Sequence, residues 1–302
     1  MMYHLLKRYI YSLKIISKDK YVLITGCDSG FGYLLAKRLD AIGMHVLAGC
    51  LKESSIFELG NALSKKAMAI RLDVTNEESI AEAVELVSAT IGDQTGLLAL
   101  VNNAGLMGTG IGPTVWQTRK DYEDVLSVNF FGVAMVTNAF LPFVLKGKGR
   151  IVNIASMKGR IAFHNAPYSV SKYGVEAFSD CLRRDLFNKA VTVHILEPGH
   201  FETDLLDRAT HRKRIHEKIE SLPKAVRDEL PHDIKNIMMA RFQSFVGRMA
   251  SNHPEEVVDA YEHAITAKYP KYRYVIGFDA KYIFQPLWML PEPISDFVIT
   301  RL

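Results

Sequence analysis

Short uninterrupted apolar runs alternate along this chain with longer segments in which apolar positions recur every three or four residues. The runs fall at residues 21–25, 45–48, 67–72, 97–101, 150–155, 191–196 and 272–276. The helix-patterned segments fall at 31–42, 53–64, 77–91, 121–144, 168–188 and 254–268. A strand that is apolar at every position is buried on both faces, whereas a half-solvated strand alternates. The pattern therefore predicts a seven-stranded parallel sheet with helices on both faces, a doubly wound α/β fold built as a single domain. No internal repeat, low-complexity tract or linker divides the 302 residues.

In such a sheet a ligand lies outside the carboxyl ends of the strands, and most of the unusual residues here fall there. Strand one runs into Thr25-Gly-Cys-Asp-Ser-Gly-Phe-Gly32, a glycine turn that opens a helix. Gly26 lets the backbone turn, Gly30 lets it approach a pyrophosphate, and Gly32 lets the helix pack close, with Ser29 and Phe31 between them. The spacing is G-x-x-x-G-x-G rather than the commoner G-x-G-x-x-G of Rossmann-type dinucleotide sites. Strand two places neutral Cys50 where a carboxylate or a basic side chain ordinarily chooses between NAD and NADP; Lys52 and Glu53, just beyond, pull in opposite directions. After strand three, Asp73 either accepts from an adenine amine or caps the next segment, with Val74 beside it. Asn102, Asn103, Ala104 and Gly105 end strand four, small and polar enough for backbone to line a cofactor. Strand six delivers Pro198 and Gly199, with Phe201 and Thr203 beyond.

Strand five delivers Ser156, and twelve residues later comes Tyr168 with Lys172 one helical turn on. Pro167 fits the first turn of that helix, where its missing N–H costs nothing, so the two side chains share a face. An ammonium beside a phenol favours the phenolate. Lowering a tyrosine pKa by ~2–3 units from about 10 takes roughly 3–4 kcal/mol, and one charge ~4 Å away at a dielectric of ~20 supplies about 4 kcal/mol. Tyr168 is then a candidate acid/base near neutral pH, with the Ser156 hydroxyl holding the substrate oxygen. The spacing alone proves little, because Tyr3/Lys7 and Tyr33/Lys37 share it. Asn129, between Val128 and Phe130 inside the long helix, is either a catalytic side chain or one satisfied structurally.

Composition narrows the picture. At 48% hydrophobic residues the chain has ample material for a core. Cys27, Cys50 and Cys181 are odd in number and widely spaced, which provides neither a disulfide framework nor a metal site and indicates a reducing compartment. The ten histidines show no metal spacing; His211 and His216 lie in a charged run. The net charge of +4 is carried entirely by residues 1–20, where five basic residues face Asp19. The remainder is formally neutral, which argues against a nucleic-acid partner. Those twenty residues form a basic amphipathic segment, far short of a membrane span. It is read as a membrane-surface anchor, a mitochondrial presequence, or a start packed on the domain.

Taken in order, Thr25–Gly32, Asn102–Gly105, Asn129, Ser156, Tyr168, Lys172 and Pro198–Gly199 resemble the short-chain dehydrogenase/reductase superfamily over roughly residues 20–280. The resemblance implies that Tyr168 is the general acid/base, and that Lys172 lowers its pKa and holds the nicotinamide ribose. It further implies that Ser156 orients the substrate oxygen, that Asn129 completes a proton relay through water, and that Thr203 bonds the cofactor. Residues 172–183 and 273–281, with Trp116 and Thr118, look like the retinol and hydroxysteroid dehydrogenase branch, with 3-hydroxybutyrate dehydrogenase a close relative. That branch implies NAD over NADP, an intracellular, membrane-associated setting (endoplasmic reticulum, with mitochondria the alternative), and a homo-oligomer. A short hydroxy acid is the alternative substrate, and a non-catalytic dinucleotide sensor the alternative of another class.

Residues 200–250 are expected to form a substrate lid. There Ile237, Met238, Met239, Phe242, Phe245, Val246 and Met249 repeat at helical spacing, as core or as substrate wall. The apolar tail at 281–302 is expected to touch the pocket or a membrane. A hydrophobic secondary or allylic alcohol is the substrate these features favour.

Overall fold

The computed structural model describes residues 9–92, 94–109, 111–203 and 207–301. Its strands are β1 Tyr21–Ile24, β2 His45–Cys50, β3 Met68–Arg71, β4 Leu97–Asn102, β5 Arg150–Ile154, β6 Thr192–Pro198 and β7 Arg273–Ile276. They pair in parallel in the order β3-β2-β1-β4-β5-β6-β7. The chain moves outward from β1 to β3, then returns to β4 and continues the other way. The switch point therefore lies at the carboxyl ends of β1 and β4.

Helices α1 Gly30–Ala41, α2 Glu53–Ala62 and α3 Glu77–Ile91 connect the first four strands, and α4 Arg119–Leu126 with α5 Val133–Lys146 leads into β5. Beyond it come α6 Ala166–Asp185, α7 Arg208–Ser221, α8 Lys224–Asp228, α9 Ile234–Met249 and α10 Glu255–Thr266. Two short helices close the chain, α11 Gln285–Trp288 and α12 Glu292–Ile299. The continuous apolar strands are explained by two separate cores. Val22 and Ile24 of β1 face a cluster with Leu35, Leu39, Val257 and Tyr261, while Leu23 between them faces Val87, Val136 and Phe140 on the other side. Each fully buried aliphatic side chain contributes about 1.5–3 kcal/mol, so neither face tolerates polar alternation.

The segment read as one helix over 121–144 is instead interrupted by a π-helical turn, Ser127–Gly132, with Asn129 inside it. Such turns insert one residue and rotate the side chains that follow. The continuous helical stretch Arg119–Lys146 is long and apolar enough to cross a membrane, the one such helix among the described residues. Val136, Phe140 and Val144 pack it on the sheet, so it serves as a core helix.

Residues 1–8 of the amphipathic N-terminal segment lie outside the described residues. The stretch from Tyr11 to Ile15 packs on the domain, with His263 bonding Tyr11 O at 2.8 Å. Lys14 bridges Ala267 in antiparallel fashion, Ile15 N–H donates to Thr266 O at 2.8 Å and Lys268 N–H to Leu13 O at 2.6 Å. Lys14 also pairs with Glu262 at 2.6 Å.

Candidate active site

At the switch point the backbone itself is the binding surface. Gly26 has φ +69°, and a Cβ there would meet Ala104 Cα at 2.6 Å; a Cβ on Gly32 would meet Gly26 O at 2.3 Å. The Thr25 hydroxyl accepts from the N–H groups of Asn103 and Ala104, both at 3.0 Å. Asn103 Nδ2 donates to Thr25 O and Gly26 O at 3.0 Å, and Asn103 Oδ1 accepts from Tyr261 at 3.1 Å. The loop after β4 thus clamps the loop after β1. Ser29 begins α1 with its hydroxyl uncommitted to the helix, and nothing lies within 4 Å of a Cβ built on Gly30. A pyrophosphate can approach a helix start prepared in this way.

This turn forms one wall of a cavity of about 530 Å³. Of the expected cofactor residues, Gly26, Ser29, Gly30, Phe31, Asp73, Val74, Ala104, Gly105, Tyr168, Lys172, Pro198, Gly199, Phe201 and Thr203 line it. Phe31 meets Phe201 edge-on at 5.9 Å across the cleft. Asp73 lines it while capping, its Oδ1 accepting from Thr75 N–H at 2.9 Å and Thr75 Oγ1 at 2.7 Å. Gly32 acts only through helix packing.

Two expected residues are turned away. Cys50 is the last residue of a longer β2 than the pattern predicted; it points into the core with Ala48, and burial pushes its thiol up to about 12. Leu51 and Lys52 line the cleft in its place, held by Asp28, which accepts from both their N–H groups at 2.9 Å. Asn102, still within β4, donates to Thr137 at 2.9 Å and Asn153 at 2.8 Å inside the second core. In both cases the strand runs further than its apolar run, and period-two alternation turns the side chain inward.

Asn165 caps α6, accepting from Tyr168 N–H at 3.2 Å, and Pro167 stands in the first turn as expected. Tyr168 and Lys172 emerge on the same face, the ammonium 5.6 Å from the ring centroid. Lys172 Nζ donates to Ile154 O at 2.9 Å. Ser156 accepts from Lys158 N–H at 3.2 Å and donates to Pro198 O at 3.3 Å. Asn129 is wholly buried, its Oδ1 accepting from Leu106 N–H at 2.8 Å, while its Nδ2 donates to Leu106 O at 2.9 Å and Ser171 Oγ at 3.0 Å. A Cβ on Gly105 would sit 3.4 Å from Asn129 Oδ1 and 3.7 Å from Lys172 Nζ, so the three converge.

The electrostatics run opposite to the simple pair calculation. Burial pushes the Tyr168 phenol up to about 12, and only a hydrogen bond with Ser156 opposes it. Burial also pulls the Lys172 ammonium down to about 8. The pair calculation counted attraction and omitted desolvation of both groups, which dominates in a closed site.

Several lining residues carried no signal in the sequence: Leu106, Met107, Lys158, His200 and Arg214. His200 Nδ1 lies 2.9 Å from Asp279 Oδ2, which also accepts the His200 N–H at 2.9 Å. A Cβ on Gly199 would strike Asp279 Oδ1 at 2.0 Å, so Asp279 dictates that glycine. The segment expected to form the lid folds as a packed unit. Ile215, Ile219 and Met239 form a small core with Ile111, and Met238 and Phe242 pack against it. A buried ion pair, Lys218 Nζ to Asp121 Oδ2 at 2.6 Å, clasps α7 to α4 and holds the Asp121 carboxyl well below the usual range against the opposing effect of burial. The tail also packs, Phe284 stacking on Phe163 at 4.9 Å.

A backbone cradle for a pyrophosphate, with a hydroxyl pair buried further along the same cleft, defines a nicotinamide-dependent dehydrogenase. The family described as short chain dehydrogenase matches residues 20–214. Among curated relatives, 17-beta-hydroxysteroid dehydrogenase type 6 of Bos taurus is 43% identical over 309 residues, covering 99% of this chain and 94% of its own. Retinol dehydrogenase 7 of Rattus norvegicus is 43% identical, covering 95% of this chain and 90% of its own. The crystal structure of a short-chain dehydrogenase from Streptomyces avermitilis aligns with a TM-score of 0.71 at 25% identity over 94% of this chain and 95% of its own. The chain belongs to the short-chain dehydrogenase family, in its retinol and hydroxysteroid dehydrogenase-like branch. It is an NAD(P)-dependent oxidoreductase acting on CH–OH groups.

Proposed function

We propose that the protein interconverts a hydrophobic alcohol, steroid- or retinoid-like, and its carbonyl, with Tyr168 moving the hydroxyl proton. The observation that carries this reading is the buried Tyr168 phenol and the buried Ser156 hydroxyl together on the wall of a cleft whose other wall is the glycine turn. The named activities of the steroid and retinol relatives support the substrate class. Bound oxidised nicotinamide supplies a hydride acceptor and one positive charge. Ser156 holds the substrate oxygen and Tyr168 takes its proton on oxidation or returns it on reduction. Lys172 positions the phenol from behind, and Asn129 fixes Leu106, which lines the cleft, and Ser171 on α6. NAD is the preferred form, because Asp28 and Asp73 line the end of the cleft near β2 and β3 and disfavour a further phosphate.

Tyr168→Phe tests the chemistry. Turnover is expected to fall by about 10²–10⁴-fold while dinucleotide binding survives. Unchanged turnover removes Tyr168 from the reaction, and a strong NADP preference in the same assay reverses the cofactor assignment. We further place the protein at a membrane surface through its tail, where Tyr282, Trp288, Met289, Ile294 and Phe297 are exposed, with Phe278 just before it. Co-sedimentation with phospholipid vesicles that is lost in Trp288→Ser/Met289→Ser supports this, and failure of the unaltered protein to sediment refutes it.

A further inference from the structure

Beyond Ser156 and Tyr168 the cleft gathers positive charge that the reaction does not use. Lys158 lines it and is only 5% exposed. Its ammonium lies over the Phe163 ring, 4.5 Å from the centroid. Among the described residues it donates no hydrogen bond and faces no carboxylate. An ammonium has three donors, and buried charges are ordinarily paired, because an aromatic face returns less than hydration took away. Burial accordingly pulls this amine down to about 8.

Its neighbours do not neutralise it. Lys158 and His200 disfavour each other's charge, and His200 commits its Nδ1 to Asp279, leaving Nε2 without a partner among the described residues. Arg214 also lines the cleft, half-buried and unpaired among the described residues, feeling Asp207 and Glu217 only at a distance. The carboxylates that do line the cavity, Asp28 and Asp73, are tied to the N–H groups of Leu51 and Lys52 and to Thr75. The glycine turn that suits phosphates is built by β1, whereas Lys158 rides on the β5–α6 connection, beside a core of Met157, Phe163 and Phe284. The excess positive charge therefore belongs to the substrate end.

We propose that the substrate is an amphipathic alcohol bearing one anionic group, a carboxylate or a sulfate, which ion-pairs with Lys158 while its apolar skeleton lies along Leu106 and Met107. This rests on the alcohol–carbonyl reading above and narrows it. The anion is a recognition element and is not transformed. Only the carbinol carbon is oxidised, losing a hydride to the nicotinamide and its hydroxyl proton to Tyr168.

Matched substrates test this with the full-length protein and NAD. A 3-hydroxy fatty acid is compared with its methyl ester, and a hydroxysteroid sulfate with the unconjugated steroid, so the two arms distinguish carboxylate from sulfate. In at least one arm kcat/KM should favour the anion by about 10- to 100-fold, the range of a charged hydrogen bond. Lys158→Met should collapse that ratio toward one, and Lys158→Arg should restore part of it. Equal or better use of both neutral partners overturns the proposal, as does a ratio indifferent to Lys158→Met. The unaltered enzyme's ratio stands even if the variant misfolds. Should no alcohol turn over, the alcohol reading fails, and the melting temperature still decides the anion site: a larger rise with the acid than with its ester supports it, and equal rises refute it.

Discussion

The two ends of the cleft are built by different means. At the glycine turn two backbone loops are locked together through short side chains: the Thr25 hydroxyl and the Asn103 amide bond the backbone of the opposite loop at 3.0 Å, with no room for a Cβ on Gly26 or Gly32. At the far end the surface is made of side chains drawn from distant stretches, among them Leu106, Lys158, His200 and Arg214 of α7. The first end is a fixed mould for a ligand part that does not vary. The second is a set of replaceable side chains, and specificity can change there without disturbing the sheet.

That contrast can be attacked from both sides. Gly32→Ala should have the largest effect, because its methyl meets the Gly26 carbonyl and neither backbone can yield. A loss of about 3 kcal/mol or more is expected, seen as a lowered unfolding midpoint and lost dinucleotide binding. If this variant binds the dinucleotide normally, the mould is softer than described. Lys218→Met breaks the clasp between α7 and α4 and leaves Asp121 buried among Thr109 and Thr118 without its cation. Its cost should be of similar size, about 3–5 kcal/mol by denaturant titration, with KM for the alcohol rising more than KM for NAD. Equal rises would mean that the lid serves both ends.

The smallest expected effect concerns pH. Lys158 and Lys172 both have amines pulled from 10.5 down to about 8. A depressed amine costs stability wherever the folded protein must still carry the charge. That penalty is full below pH 8, fades as pH rises and vanishes near 10.5. The unfolding free energy should therefore climb between pH 8 and 10, by about 2 kcal/mol in all, because the buried thiols of Cys27 and Cys50, whose pKa values burial raises, oppose the two lysines in that window, and the buried tyrosines oppose it further above pH 10. Lys158→Met should flatten the slope and raise stability at pH 7. A variant that is less stable at pH 7 would show that the ammonium has a partner when the protein is folded.

Legibility in the sequence follows the same division. The seven-stranded parallel sheet, the glycine turn and the placement of Asp73, Ser156, Tyr168 and Lys172 on the cleft were readable because each depends on local backbone needs or on the rule that places ligands at strand ends. Cys50 and Asn102 were misplaced because apolar runs undercount strands that finish on a polar or small residue, and one extra residue turns a side chain to the other face. Lys158, His200 and Arg214 escaped notice because nothing in their neighbourhoods marks them. A lysine two residues past a serine looks solvated until Phe163 and the tail are folded over it. The Lys218–Asp121 clasp joins residues far apart in the chain and has no local trace. The direction of the Tyr168 shift was equally hidden, because desolvation is a property of the closed site.

The short arm at residues 13–15 has a geometric consequence. It is stitched to the last turn of α10 and to Lys268, just ahead of β7. That position is the amino-end pole of the sheet. The cleft opens at the opposite pole, and α10, with 12 residues, spans about 18 Å between them. A tether acting through the arm would hold the molecule with its mouth facing the aqueous side, whereas contact through Trp288 and Met289 would bring a lipid phase alongside the aromatic core that backs the substrate end. Only the second orientation lets a greasy alcohol pass from bilayer to catalyst without crossing water.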